Sequence, residues 1–198
     1  MRHTWLLNLP LRYAFGPERT LLIRAGQDSV TVGKSPDIAM WADWCNPGDE
    51  KCGALIRADA FGYACPGRPA LAAELAWRDA SWTHRRTGIY GEMFVAAVIA
   101  LAQVAPFSTD GLDRLAIFEA ALKFVPQRSR FYQIVADSLN EVRHATDWLD
   151  GYHRIHGKYA QYGHCLVYQE VGTLINTLRF AESVGDGICK QVSHCSSR

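Results

Sequence analysis

The stretch from Gly88 to Ala105 constrains the fold of this chain more than any other part of it. It reads Gly-Ile-Tyr-Gly-Glu-Met-Phe-Val-Ala-Ala-Val-Ile-Ala-Leu-Ala-Gln-Val-Ala and is closed by Pro106. Apolar residues fall on nearly every side of a 3.6-residue helix here, and a helix that is apolar all round has to be covered by other elements. Its uninterrupted apolar run, Met93 to Ala102, is about half of the roughly 20 residues needed to cross a bilayer, so the spacing predicts a buried central helix and no membrane span.

Four further segments supply the covering helices. Pro69 suits a first helical position, and Leu71, Leu75 and Ala76 follow at helical spacing up to Asp79 and Ala80. Thr109 or Asp110 can cap a third helix, with Leu112, Leu115, Ala116, Phe118 and Leu122 on one face until Pro126. Ser129 opens a fourth, in which Phe131, Ile134, Val135, Leu139 and Val142 recur at three and four. A fifth covers Val167 to Ser183, with Gly185 and Gly187 after it. Ahead of these, residues 41–67 read as loop, short helix, loop. In residues 1–45 only Leu21 to Ile23 and Val30 to Val32 hint at short strands. The prediction is an all-α orthogonal bundle without internal repeats.

Charge removes one class of function. Lys and Arg number 21 against 20 Asp and Glu, a net charge of +1, so the broad basic face of a nucleic-acid binder is not expected. Any anion must be held by local groups. The six cysteines show no CxxC spacing and follow no secretory signal, which points to a reducing cytoplasm rather than a disulfide framework. His153-Arg-Ile-His156 has no second Cys/His pair at ligand spacing, so it reads as a solvated helix end rather than a zinc site.

Two strings carry chemistry. Asp79-Ala-Ser-Trp-Thr83-His84-Arg85-Arg86-Thr-Gly-Ile-Tyr90 puts a carboxylate, a hydroxyl, an imidazole, two guanidinium groups and a phenol between two helices. Such a loop suits a diphosphate, because His and Arg give charge-assisted donors and the following helix start adds free N–H groups. The plainer alternative has Asp79 and Thr83 as caps and the arginines solvated. The second string is Asn46-Pro-Gly-Asp-Glu-Lys-Cys52-Gly53-Ala54-Leu-Ile-Arg57-Ala-Asp59. Gly53 and Ala54 would let a ligand approach the backbone, with Arg57 one turn later.

Together these strings, with Gly88 to Gly91 and Ile175-Asn-Thr-Leu-Arg-Phe to Gly185-Asp-Gly-Ile188, resemble the ADP-ribosylglycohydrolase family, which includes the dinitrogenase reductase activating glycohydrolase. The resemblance covers residues 41–193 and leaves residues 1–40 as an unassigned N-terminal segment. It implies a helical domain of the ADP-ribosylglycohydrolase type over 41–198, and hydrolysis of the bond joining ADP-ribose to an acceptor side chain. The implied partners are ADP-ribose or an ADP-ribosylated protein, and the implied cofactor is a pair of magnesium ions. By the same resemblance His84 would contact the diphosphate or adjacent ribose. Asp79 and Thr83 would shape its loop, Gly53 and Ala54 would offer backbone donors, and Tyr90 would border the pocket.

The family's magnesium clusters, a threonine followed by two aspartates near the N-terminus and an aspartate-threonine-aspartate near the C-terminus, have no counterpart. Residues 1–45 contain Asp28, Asp37 and Asp43 without an adjacent pair, and the sequence reads Ser-His-Cys-Ser-Ser-Arg after Val192. The bundle is therefore expected to be incomplete, truncated at both ends, with magnesium not bound and hydrolysis impaired. The alternatives are a non-catalytic ADP-ribose-binding relative or a truncated product of a longer gene.

Overall fold

The computed structural model describes residues 46, 48–107, 111–162 and 165–196, with side chains to Ser193. Eight α-helices carry the described fold: α1 (Asp59–Tyr63), α2 (Pro69–Ala80), α3 (Thr87–Ala102), α4 (Arg114–Ala121), α5 (Arg130–His144), α6 (Trp148–Tyr159), α7 (Val167–Phe180) and α8 (Val184–Ser196). Short 3-10 turns occupy Leu55–Arg57, Leu122–Phe124 and Ala160–Tyr162, and among the described residues there is no β-strand. The all-α architecture expected from the apolar periodicity is the observed one.

The central helix is α3, and its two sides bury different surfaces. Ala96 and Ala100 meet Ala72 and Ala76 of α2 and the residues Ala58 and Cys65 that flank α1, so α1 and α2 lie against it where the side chains are small. On the other side Phe94 and Ala97 enter the main core with Phe118, Phe131, Val135, Val171 and Ile175. Phe94 stacks on Phe118 with ring centroids 6.0 Å apart and meets Phe131 edge-on at 5.7 Å. Gly91 lets α7 approach closely, since a Cβ there would stand 2.7 Å from Val167 Cγ1.

Helix limits follow local chemistry. Ser129 caps α5 as expected, its Oγ accepting from the Tyr132 N–H at 3.1 Å. The third predicted helix starts later than the apolar spacing suggests, because Asp113 is its cap and accepts from the Ala116 N–H at 3.0 Å; Thr109 and Asp110 lie outside the described residues. The central helix stops at Ala102, ahead of the expected Ala105, and α7 stops at Phe180 rather than Ser183. Gly185 and Gly187 lie inside α8, whose first turn is held by the Asp186 N–H donating to Ser183 Oγ and by the Glu182 N–H donating to Asp186 Oδ2.

Two helices, α6 and α8, were not expected as such. α6 is capped by Asp147 and presents Tyr152, Ile155 and Tyr159 inward; His156 lies in its last turn and His153 is exposed one turn earlier. His156 is half-buried, stacked on Tyr152 at 5.3 Å and within 3.2 Å of the Gln169 amide. Charged pairs fasten α6 to α5: Lys158 Nζ donates to Asp137 and Glu141, and the Tyr159 hydroxyl donates to Asp137. The strand hints at residues 21–23 and 30–32 lie outside the described residues.

Candidate functional site

The two motif strings, 27 residues apart between Cys52 and Asp79, are interlocked by one side chain. Arg57 leaves the 3-10 turn and pairs with Asp79 through Nε, donates to Thr83 Oγ1 through Nη2 at 3.0 Å, and reaches the Gly53 carbonyl through Nη1 at 3.3 Å. Its side chain is 30 % exposed and that of Asp79 27 %, so the pair is mostly shielded from solvent. The Asn46 amide donates to the Thr83 carbonyl at 2.9 Å, and the Arg85 N–H donates to the Asp49 carbonyl at 2.8 Å. Gly88 fits where a Cβ would stand 2.6 Å from the Asp49 carbonyl oxygen and 2.9 Å from His84 Cδ2.

The loop between α2 and α3 is therefore short, residues 81–86. Asp79 lies in the last turn of α2 and Tyr90 in the first turns of α3, rather than in the loop itself. Thr83 and His84 are fully buried, the Thr83 hydroxyl 2.7 Å from His84 Nδ1. Ala54 is buried against Ala80 and Ile89, with Tyr90 packed on the same cluster. Gly53 is half-buried above it. All six residues singled out in the sequence thus belong to one joint, but His84, Thr83 and Ala54 form its interior.

The open part of the joint lies one step away. A cleft of about 400 Å³ is lined by Glu50, Arg86, Thr87, Tyr90, Ser129, Arg130 and Tyr168. Two helix starts border it: Thr87 begins α3 and Ser129 caps α5, so the positive ends of two macrodipoles face one space. Arg86, at φ +42°, turns the chain into α3 and pairs with Glu50 at 3.0 Å. Thr87 Oγ1 and the Tyr168 hydroxyl are 2.9 Å apart, which ties α7 to the cleft wall. Burial and the adjacent Glu50 carboxylate push the Asp49 carboxyl above its ordinary range, against the pull of Arg86 and Arg85.

Ser129, Arg130 and Tyr168 escaped the sequence reading. They stand about 40 and 80 residues from Thr87, and nothing in their local spacing announces a shared cleft.

A second cluster adjoins the first. Cys52 Sγ, Cys165 Sγ and a Glu170 carboxylate oxygen all lie within 4.8 Å of one another. The Cys52 N–H donates to the Cys165 carbonyl at 2.9 Å, and Lys51 and Leu166 form an isolated antiparallel bridge. Burial, then the Glu170 carboxylate, pushes the Cys52 thiol up to about 12, and burial raises Glu170 above the ordinary carboxylate range. Among the described residues this is the only group of three or more His, Cys, Asp or Glu side chains close enough to share a cation. Two of its three donors are thiols, a set unsuited to magnesium, which takes hard oxygen ligands.

No curated protein and no solved structure matches this chain. The sequence model described as ADP-ribosylglycohydrolase, however, matches residues 12–195, a span that takes in both interlocked strings, the cleft and all but the last residue of α8, and the chain therefore belongs to the ADP-ribosylglycohydrolase family.

Proposed function

We propose that this chain binds ADP-ribose, free or attached to a protein, with the diphosphate seated in the cleft between the starts of α3 and α5. The family acts on ADP-ribosylated substrates, and the observation that carries the reading is the lining of that cleft. Arg86 and Arg130 supply guanidinium groups, and Thr87, Tyr90, Ser129 and Tyr168 supply hydroxyls beside two helix N-termini. Charge-assisted donors and helix starts are what a diphosphate needs. Glu50 pairs with Arg86 and orients it. His84, Thr83, Asp79, Gly53 and Ala54 act as the support: they fix the short loop from which Arg86 and Thr87 project, and Tyr90 forms a wall.

The family is a hydrolase family, and this chain's own residues do not supply a magnesium first shell among the described positions. The donor set that is present is sulfur-rich, and the sequence before Asn46 has no adjacent acidic pair. We therefore derive no hydrolytic step through magnesium and read the 198-residue chain as a binder with impaired hydrolysis.

Calorimetry with ADP-ribose on the full chain tests the binding. Arg130→Ala is expected to weaken affinity by about tenfold or more, the typical worth of one charged hydrogen bond, with circular dichroism unchanged because Arg130 is exposed. Absence of binding by the intact chain, or equal affinity in the variant, overturns the assignment. Magnesium-stimulated release of ADP-ribose from an ADP-ribosyl-arginine substrate would overturn the impaired hydrolysis alone.

A further inference from the structure

We propose that Cys52, Cys165 and Glu170 form a site for one thiophilic divalent cation of the zinc class, with a fourth position open to water. This site is independent of the ADP-ribose reading and uses none of the residues lining that cleft.

The three donors come from separate parts of the chain that the backbone brings together. Cys52 follows the turn at 48–51, Cys165 stands two residues before α7 begins at Val167, and Glu170 lies in the first turn of α7. The antiparallel Lys51–Leu166 bridge and the bond from the Cys52 N–H to the Cys165 carbonyl set the two cysteines side by side, so their proximity is built by the main chain rather than by free side-chain rotation. Cys165 adopts φ +62°, a left-handed conformation that a non-glycine residue seldom takes. Backbone held in such regions clusters where a side chain must be aimed. Glu170, half-buried in the first turn of α7, brings a carboxylate oxygen within 4.8 Å of both sulfurs.

The size and chemistry fit. Zinc binds sulfur at about 2.3 Å and carboxylate oxygen at about 2.0–2.2 Å, so donors on a tetrahedron stand roughly 3.3–3.8 Å apart. Ligand atoms within 4.8 Å reach that spacing by small side-chain rotations. Two thiolates and one carboxylate neutralise a divalent charge and leave one negative charge over. Thiolates favour zinc over magnesium or calcium. Cys52 and Cys165 are both free thiols, and Cys165 is exposed, which gives the ion an entry path and room for a water ligand. The bound ion would tie the loop carrying Gly53 and Arg57 to the start of α7.

Cobalt(II) is the probe, added to the reduced, metal-free full chain. The expected result is saturation at one cobalt per chain, with a thiolate-to-cobalt charge-transfer band and the ligand-field bands of a tetrahedral site, both displaced by zinc. Zinc is expected to raise the thermal unfolding midpoint of the wild-type chain. Cys165→Ser, at an exposed position, is expected to reduce the charge-transfer band to half or less, replacement of both Cys52 and Cys165 by serine to abolish it, and Glu170→Gln to weaken cobalt binding at least about tenfold, since even outer-shell partners are worth that much. Cys189→Ser, on α8, is expected to bind as wild type. Absence of the band in the wild-type chain, or a band of undiminished intensity in Cys165→Ser, overturns the proposal. So does the finding that Cys52 and Cys165 form a disulfide that no metal prevents in air.

Discussion

Gly88 packs against the backbone of the other motif string, and replacing it by alanine measures how firmly the two strings are joined. The added Cβ would stand 2.6 Å from the Asp49 carbonyl oxygen and 2.9 Å from His84 Cδ2, whereas Cβ contacts under 3.0 Å essentially never occur. The Asp49 carbonyl would have to retreat by at least 0.4 Å, the difference between those distances. That carbonyl is also the acceptor for the Arg85 N–H at 2.8 Å, so the retreat loosens the hydrogen bond that fastens the loop. Overpacking of this kind costs about 1–3 kcal/mol. Alanine in a helix recovers about 0.5–1 kcal/mol relative to glycine. Gly157 supplies the reference: it lies exposed in α6 with nothing within 4 Å of its would-be Cβ, so Gly157→Ala gains the helix preference without the clash. Urea unfolding of both variants should therefore place Gly88→Ala below Gly157→Ala by about 1–3 kcal/mol, with equal m values. Equal stability of the two would show that the strings yield freely to one another, and the reasoning from their contact would fail.

Two further expectations address the core and the α5–α6 contact. Phe94→Ala removes a fully buried ring that touches Phe118 and Phe131, and should destabilise by about 3–5 kcal/mol in the same urea assay; a loss under about 1 kcal/mol would mean that α3 is not the centre of the core. Burial raises Asp137, yet the Tyr159 hydroxyl and the Lys158 ammonium hold its carboxyl below the ordinary range, and Lys158 does the same for Glu141. With folded values depressed, their stabilisation is present above the unfolded carboxylate range near pH 4 and is lost as pH falls through the lower folded values. Thermal midpoints of Asp137→Asn should fall less steeply than wild type below about pH 4, and parallel acid limbs would refute the coupling.

How much could be read from the residues alone depended on how local the signal was. Pro69, Ser129 and the apolar repeats of Phe131 to Val142 and Val171 to Ile175 are short-range signals, and the helices they announce are present. Helix α6 was obscured because its inward side is built from Tyr152, Ile155 and Tyr159 while Gly151, Gly157 and two histidines dilute the pattern. Helix α8 was obscured by Gly185 and Gly187, which look like a turn until Ser183 and Asp186 are seen to secure them. At the site, the string around His84 was legible as chemistry, but its burial was not. Only the fold shows that Arg57 threads between Gly53, Asp79 and Thr83, and that Arg130 and Tyr168 join Arg86 at an opening.

The bridge between Lys51 and Leu166 also has a consequence in time. It spans 115 positions of sequence, and Thr87 meets Tyr168 across a further long interval. At synthesis rates of about 5–20 residues per second, residue 166 follows residue 51 from the ribosome by roughly 6–23 s. The contacts of α2 with α3, and those of Arg57 with Asp79 and Thr83, are local and can close within that interval, whereas Lys51 and Cys52 must wait for the start of α7. A nascent chain halted before Leu166 would hold its two motif strings already joined through Arg57, with Lys51 and Cys52 still lacking their neighbours at the start of α7.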